Sequence, residues 1–461
     1  MGFLTAKIHF KPKGDEERLI KLLTHISKNI YNVALYELRQ YYFKTQRVLP
    51  LDALLDKIKD NENVIALGSD WSAAIAKDAR KNLYTYTKYH NFDGTVKAFM
   101  KDEMDKEKFS AAFPRYLKKK AFHSISMKGL KKDRNGEYLN VPLPPMIASG
   151  RVFKMDIKDE LLKEFVDACG PISNPTLKIK VPRYVSDRSL PLAIIVPDRY
   201  GEYFTASILY PYNLPMPKKI DYKRVMGIDI GVNNLLTCAT TTSDAFIIRG
   251  KELKSLNRLY NRVISKEKKR LPFIDGDKER QLKTSKHIRR LYRNMNDKID
   301  AYINSAAKMV IDYALKNNIN LIIIGWNNGI KTGGVKNDEL SNFTKAKINE
   351  SFVGLPLSEL KDRIVLKGKM VGITVEVINE ANTSEKSFFD NDSFKSSIKS
   401  GKRIERGDYI TAKGLHVNAD YNAALNMIRK YFSIKGLRLP ILDKLVQLGP
   451  LVPYGIKIKL S

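Results

Sequence analysis

Asp229 interrupts an apolar run, VMGIDIG at 225–231, where a charge is costly unless it is paired or bound to a metal. The flanking glycines allow close backbone approach. A buried aspartate paired with a core lysine would fit the same run. Asp420 lies near the start of NADYNAALNMIRKYF at 418–432, among small apolar residues; capping that helix is the alternative role open to it. Asn418, Asn422 and Asn426 fall four apart and share a neighbouring face of the same helix. Glu380 closes the run VEVINE at 375–380. Carboxylates converging on two divalent cations about 4 Å apart can hydrolyse a phosphodiester, one cation activating water and the other stabilising the leaving oxygen. Mg2+ prefers hard oxygen donors and takes few of them from the protein, so isolated acids at strand ends and helix starts are the residues to seek. Asp229, Glu380 and Asp420 are therefore the candidate catalytic residues and metal ligands. Glu376 and Glu385 are weaker candidates for the third position.

The elements that would position these acids follow from residue 223 onward. VMGIDIGVNNLLTCAT and DAFIIRG read as three successive strands, followed by a charged helix at about 252–270 and an amphipathic one from Ser285 to about Asn317. NLIIIGW at 320–326 is a buried strand, 356–370 a helix, GITVEVINE at 372–380 a strand, and 418–432 a closing helix. Three strands, helix, strand, helix, strand, helix is the order of an RNase H-like domain. NLIIIGW ends in Gly325 and Trp326 and offers no acid. Consecutive parallel strands often lie side by side, and their carboxyl ends share the edge where α/β sheets place ligands. Glu380 would then reach the same metals across about 5 Å of inter-strand spacing.

The earlier half has a different texture. Residues 4–12 alternate like a strand, and Glu16 to about Arg47 is helical with Leu19, Leu22, Leu23, Ile26, Ile30, Val33 and Tyr36 on one face. Helical blocks follow at roughly 70–90 and around 102–109. From about 140 to 222 the runs TLKIKVPRY, LPLAIIVP and EYFTASILYPY suggest a small sheet or barrel, joined by the first strand and leaving the helices as an insertion. Aromatic and basic residues on such a sheet suit RNA, while an ordinary sheet core explains the aromatics equally well.

Charge narrows the partners. The 461 residues carry 81 Lys+Arg against 50 Asp+Glu, a formal net charge of +31, and a surplus of that size points to a polyphosphate. No run of about 18 apolar residues occurs, the opening MGFLTAKIHFKPKG is not a signal peptide, and Ala6 stands where a myristoylation signal needs Ser or Thr. Nucleic acid is thus preferred to membrane, and a cytoplasmic location is expected. The two cysteines, Cys169 and Cys238, exclude a disulfide framework and a four-cysteine zinc site.

GIDIGVNNLLT, NEANTS, GKRIERG and NADYNAALNMIRK resemble the RuvC portion of TnpB, the OrfB-type protein of insertion sequences. SKNIYNVALYELRQYYF and FPRYLKKK resemble the recognition half of that family. The resemblance implies an α/β fold class with β-barrel and helical parts. A wedge-like β-barrel (1–12 and 140–222) would carry an inserted helical recognition domain (13–139). An RNase H-like RuvC nuclease domain (223–461) would carry a small nucleic-acid-loading insert at 381–417. It implies a guide RNA and a double-stranded DNA target as partners, with cleavage beside a short target-adjacent motif. It also implies a two-metal Mg2+ site, with Mn2+ as a substitute in vitro. The protein would hold the heteroduplex by shape and charge. Lys118, Lys119, Lys120, Arg289, Arg290, Arg293, Lys402, Arg403 and Arg406 are the candidate nucleic-acid contacts, although Lys402, Arg403 and Arg406 would serve equally as a solvated face.

Two departures from the family stand out. Its usual second RuvC acid is absent at Gly325, and a subgroup resembling this chain carries the Glu where Glu380 stands. The zinc-ribbon cysteines are missing from 381–417, so zinc is not implied, and Phe388, Phe389, Ile398 and Tyr409 must hold that loop instead. Three other functions fit the same residues: a nuclease-dead RNA-guided repressor, a type V CRISPR effector, and a transposase that joins strands.

Overall fold

The computed structural model describes residues 2–89, 113–185, 188–242, 244–274, 277–281, 284–327, 355–397, 399–405, 407–439, 442–448 and 453–458. It divides into two compact units, Met1–Asn213 and Leu214–Ser461. Among the described residues, no helix is long and apolar enough to cross a membrane.

The first unit begins with β1 (Gly2–Phe10) and four helices, α1 (Asp15–Thr45), α2 (Leu51–Ile58), α3 (Glu62–Leu67) and α4 (Ser69–Tyr89). Asp15, Glu16 and Glu17 fill the first turn of α1, where negative charge meets the positive end of the helix dipole. Its buried stripe starts as expected at Leu19, Leu22, Leu23, Ile26 and Ile30 and then runs through Ala34, Leu38 and Tyr42. Val33 is only half-buried, and Tyr36 is exposed. In a helix of 31 residues, steps of four track the buried face beyond Ile30, whereas the steps of three to Val33 and Tyr36 rotate off it. The block expected at 102–109 lies outside the described residues.

Chain return to β structure comes at β2 (Ile125–Lys128), ahead of the boundary expected at 140, and continues through β3 (Lys131–Lys132) and β4 (Tyr138–Asn140). Then come α5 (Glu160–Cys169), β5 (Lys178–Lys180), β6 (Leu192–Pro197) and β7 (Phe204–Tyr212). α5 falls in the region read as strands. Its signal was present: the Asp159 side chain caps it by accepting from Leu161 N and Leu162 N, and Leu162, Phe165, Val166 and Cys169 are buried at helical spacing. The sheet order β1-β7-β6-β2 places the first strand against the last, paired antiparallel from Gly2↔Tyr212 to Phe10↔Phe204. The strands β3-β4-β5 form a separate sheet, so among the described residues no strand pairing closes these strands into the expected barrel.

The second unit contains β8 (Val225–Ile230), β9 (Asn234–Thr240), β10 (Ala245–Arg249), α6 (Lys251–Lys269), β11 (Phe273–Ile274), β12 (Asp277–Gln281), α7 (Lys286–Lys316) and β13 (Leu321–Gly325). It continues with α8 (Leu357–Met370), β14 (Thr374–Ile378), β15 (Lys402–Glu405), β16 (Asp408–Ile410), β17 (His416–Asn418), α9 (Ala419–Ile434), α10 (Leu442–Leu448) and β18 (Tyr454–Ile456). The main sheet runs β14-β13-β8-β9-β10-β18. β8, β13 and β14 are mutually parallel, and β9 is antiparallel to its neighbours. Strand alternation divides the core between the two faces of this sheet. Met226, Ile228 and Ile230 pack with Ile322, Ile324 and the apolar stripes of α7 and α8. Val225, Leu321 and Ile323 pack with Tyr421, Ala424, Leu425 and Ile428 of α9.

Candidate active site

That parity decides where Asp229 points. Val225, Gly227 and Asp229 alternate with the residues facing α7 and α8, so Asp229 lies on the face covered by α9. Gly227 lets the helix come close: a Cβ there would overlap the carbonyl oxygen of Ala424 and lie 2.8 Å from Ile428 Cγ1. Two residues along β8 and four residues back along α9 are similar distances, so contact at Gly227 and Ala424 brings Asp229 beside Asp420. The helix cap falls to Asn418, whose side chain accepts from Asp420 N and Tyr421 N. The Asp420 carboxylate is therefore not the cap.

Glu380 arrives from the parallel neighbours. Gly325, the last residue of β13, is opposite Ile378 of β14, and Glu380 lies two residues beyond, on the same face. The chain turns back over Gly325, where a Cβ would sit 3.2 Å from the Cβ of Glu380 and would overlap the tip of Met427. The space above Gly325 is filled by the tip of Met427, with the Cβ of Glu380 beside it.

The electrostatics show the convergence. Burial first, then the charges of Asp420 and Glu380, push the Asp229 carboxyl up to about 8 against the opposing pull of Arg403. Burial also raises Glu380, against the pull of Lys430. Asn234 Nδ2 donates to Asp420 Oδ2 at 2.8 Å, and Arg403 lies 3.8 Å from Asp420 Oδ1. The register between β9 and β10 shifts between Ile248 and Arg249, just after Asn234 on β9. Asn234 was not singled out in the sequence; only its place in GIDIGVNN could have marked it. Glu376 shares the face of Glu380 but lies opposite Ile323, further from the strand end, and Glu385 is paired with Lys399 at 2.7 Å. Among the described residues, no three His, Cys, Asp or Glu side chains already close into a metal cage. The charges of Asp420 and Glu380 both act on Asp229, a repulsion that a cation would relieve.

The basic candidates separate. Among the described candidates, Arg403 is the one drawn to the acids. Lys118, Lys120, Arg290 and Lys402 are exposed, Lys119 pairs with Glu164 at 2.9 Å, Arg289 and Arg293 are half-buried on α7, and Arg406 lies outside the described residues. In the insert, Phe388, Phe389 and Tyr409 are buried, while Ile398 is outside the described residues. Asn422 and Asn426, expected on a neighbouring face, are both fully buried and bond to the insert backbone. Cys169 and Cys238 are buried free thiols.

Residues 208–331 match the OrfB_IS605 family, a probable transposase. Comparison with the curated proteins gives no match. Among solved structures, Cas12f1 in its sgRNA–target DNA complex is 14% identical, with 89% of this chain and 82% of that one covered at a TM-score of 0.50. The mini-RNA-guided endonuclease CRISPR-Cas_phi3 is 12% identical, with 93% and 92% covered at a TM-score of 0.38. The chain resembles the OrfB-type, TnpB-like proteins of insertion sequences and has a mixed α/β fold similar to that of Cas12f1.

Proposed function

We propose that the protein is an RNA-guided DNA endonuclease whose second unit is an RNase H-like RuvC domain. Its nuclease centre is Asp229, Glu380 and Asp420. The observation that carries this reading is the approach of acids from β8, the end of β14 and the start of α9: the charges of Asp420 and Glu380 add to burial in raising the Asp229 carboxyl to about 8. The sheet order and the match over residues 208–331 support the domain assignment, and the net charge of +31 supports polyanionic partners. The wedge and recognition roles go to the first unit.

All three side chains offer hard oxygen donors, which suits Mg2+, or Mn2+ in its place. Such cations, when bound, supply water activation and neutralisation of the leaving oxygen. Asp229 would hold such a cation as its carboxylate, the form that burial disfavours in its absence. Asn234 holds Asp420 Oδ2 and leaves Oδ1 facing Arg403. Arg403, partly exposed beside Asp420, would offer its guanidinium to a non-bridging phosphate oxygen. Lys430 donates to Ala381 O at 2.6 Å and so buttresses the turn after Glu380.

The test is cleavage of a guide-matched plasmid, flanked by a range of target-adjacent motifs, by protein purified with its native flanking RNA. Cutting in Mg2+, silence in EDTA and silence for Asp229→Ala are expected. A second reading, a guided DNA binder that never cuts, is favoured by the missing acid at Gly325. Tight guide-dependent binding with no cleavage by wild type would establish it instead.

A further inference from the structure

The insert that lacks zinc-ribbon cysteines is held by another device, and that device leads to Glu380. Asn422 and Asn426 lie one turn apart on α9 and are both fully buried. Phe388 N donates to Asn422 Oδ1 at 2.9 Å, and Asn422 Nδ2 donates to Lys386 O at 2.8 Å. Asn426 Nδ2 donates to Thr383 O at 2.9 Å and to Lys386 O at 2.6 Å. Thr383, 2% exposed, then grips the residue of interest: its N donates to Glu380 O at 3.1 Å and its Oγ1 to the same oxygen at 2.7 Å.

We propose that Asn426 and Thr383 are positioning residues, forming a continuous hydrogen-bonded path from α9 through the insert to Glu380. The inference rests on the nuclease reading of Glu380. Asp420 belongs to a rigid helix and Asp229 to a central strand, so both are fixed by the core. Glu380 lies beyond the last paired residue of β14, and its backbone would be free without an external hold. Asn426 supplies that hold through Thr383 from the helix that carries Asp420, alongside the contact of Lys430 with Ala381 O. One helix thereby sets two acids, and the insert docks in register with the centre without a metal of its own. Partners that orient metal ligands at one remove are worth roughly 10–100-fold in metal affinity.

The experiment is Mn2+ binding to the full chain, followed by electron paramagnetic resonance, alongside hydrogen exchange of the amides at 381–388. Thr383→Val keeps the side-chain shape and removes the hydroxyl; it should weaken Mn2+ binding about tenfold, and Thr383→Ser should restore it. Asn426→Ala should accelerate exchange and weaken Mn2+ binding at least as much. Faster exchange in Asn426→Ala with unchanged Mn2+ affinity would overturn the proposal, because the ladder would then hold the insert alone. Thr383→Val binding Mn2+ as wild type would overturn it too. If wild type neither takes up Mn2+ nor cuts DNA, the nuclease reading fails and the positioning role fails with it. Wild type that binds and cuts beside unaffected variants removes the positioning role only.

Discussion

Replacing Gly227 by alanine tests how the Asp420 helix is held against the Asp229 strand. The new methyl would stand 2.8 Å from Ile428 Cγ1 and within the carbonyl oxygen of Ala424. Carbon–carbon contacts settle at about 3.5–4.0 Å, so α9 must retreat by about 1 Å. The obstructing atom is helix backbone and cannot swing aside. Overpacking of this kind costs about 1–3 kcal/mol. Alanine also narrows the unfolded ensemble, which offsets about 0.4–1 kcal/mol at a backbone conformation alanine tolerates. The overpacking wins at all but the smallest cost, for a net loss of up to about 2.6 kcal/mol and a fall in Tm of up to about 10 °C for a unit of this size. The larger effect is on activity: a displacement of about 1 Å between Asp420 and Asp229 should lower cleavage about 100-fold. Melting by circular dichroism and single-turnover cleavage on one preparation check both. Wild-type melting with wild-type cleavage would refute the argument that glycine at 227 sets the spacing of the acids.

Gly325→Ala should behave differently. Its methyl meets the flexible end of Met427, which can move, and the Cβ of Glu380 at 3.2 Å, which must shift by a few tenths of an ångström. Stability should fall by less than about 1 kcal/mol while cleavage drops about tenfold, read by the same two assays. Divalent-cation binding should be proton-linked. With Asp229 titrating near 8, the acid form prevails below that value and must release its proton on binding. Mn2+ affinity should therefore rise up to about tenfold per pH unit between pH 6 and 8 and then level; a flat titration would contradict the placement of Asp229. The same shift means that the metal-free chain loses stability as pH rises from the ordinary carboxyl value near 4 towards 8, a trend that urea titrations at pH 5 and pH 8 would reveal.

Much of the second unit was legible because its signals are periodic. Alternation in VMGIDIG and GITVEVINE gives the strands, and parallel neighbours with a shared carboxyl edge give the reason to look at Glu380. Contact partners were not legible. Asn422 and Asn426 are spaced to share a helix face, but no local pattern says that residues 383–388 land on it. Likewise Asn418 and Asp420 compete for the cap on residue type alone, and only the backbone gives that role to Asn418. In the first unit, the β-like texture after 140 hid α5, because neighbouring Pro and Gly breaks outweighed the short helical repeat beginning after Asp159. The return to the sheet at Ile125 was hidden by its brevity, a four-residue strand beside a lysine cluster.

The most direct test of the central claim compares Asp229→Ala, Glu380→Ala and Asp420→Ala with wild type, measuring guide-dependent DNA binding and single-turnover cleavage in Mg2+. The account predicts near wild-type binding for all three and a loss of cleavage of about 1000-fold or more for each, with Glu380 as necessary as the two aspartates. Cleavage that persists in Glu380→Ala while both aspartate variants are silent would contradict it, and would place the third carboxylate elsewhere.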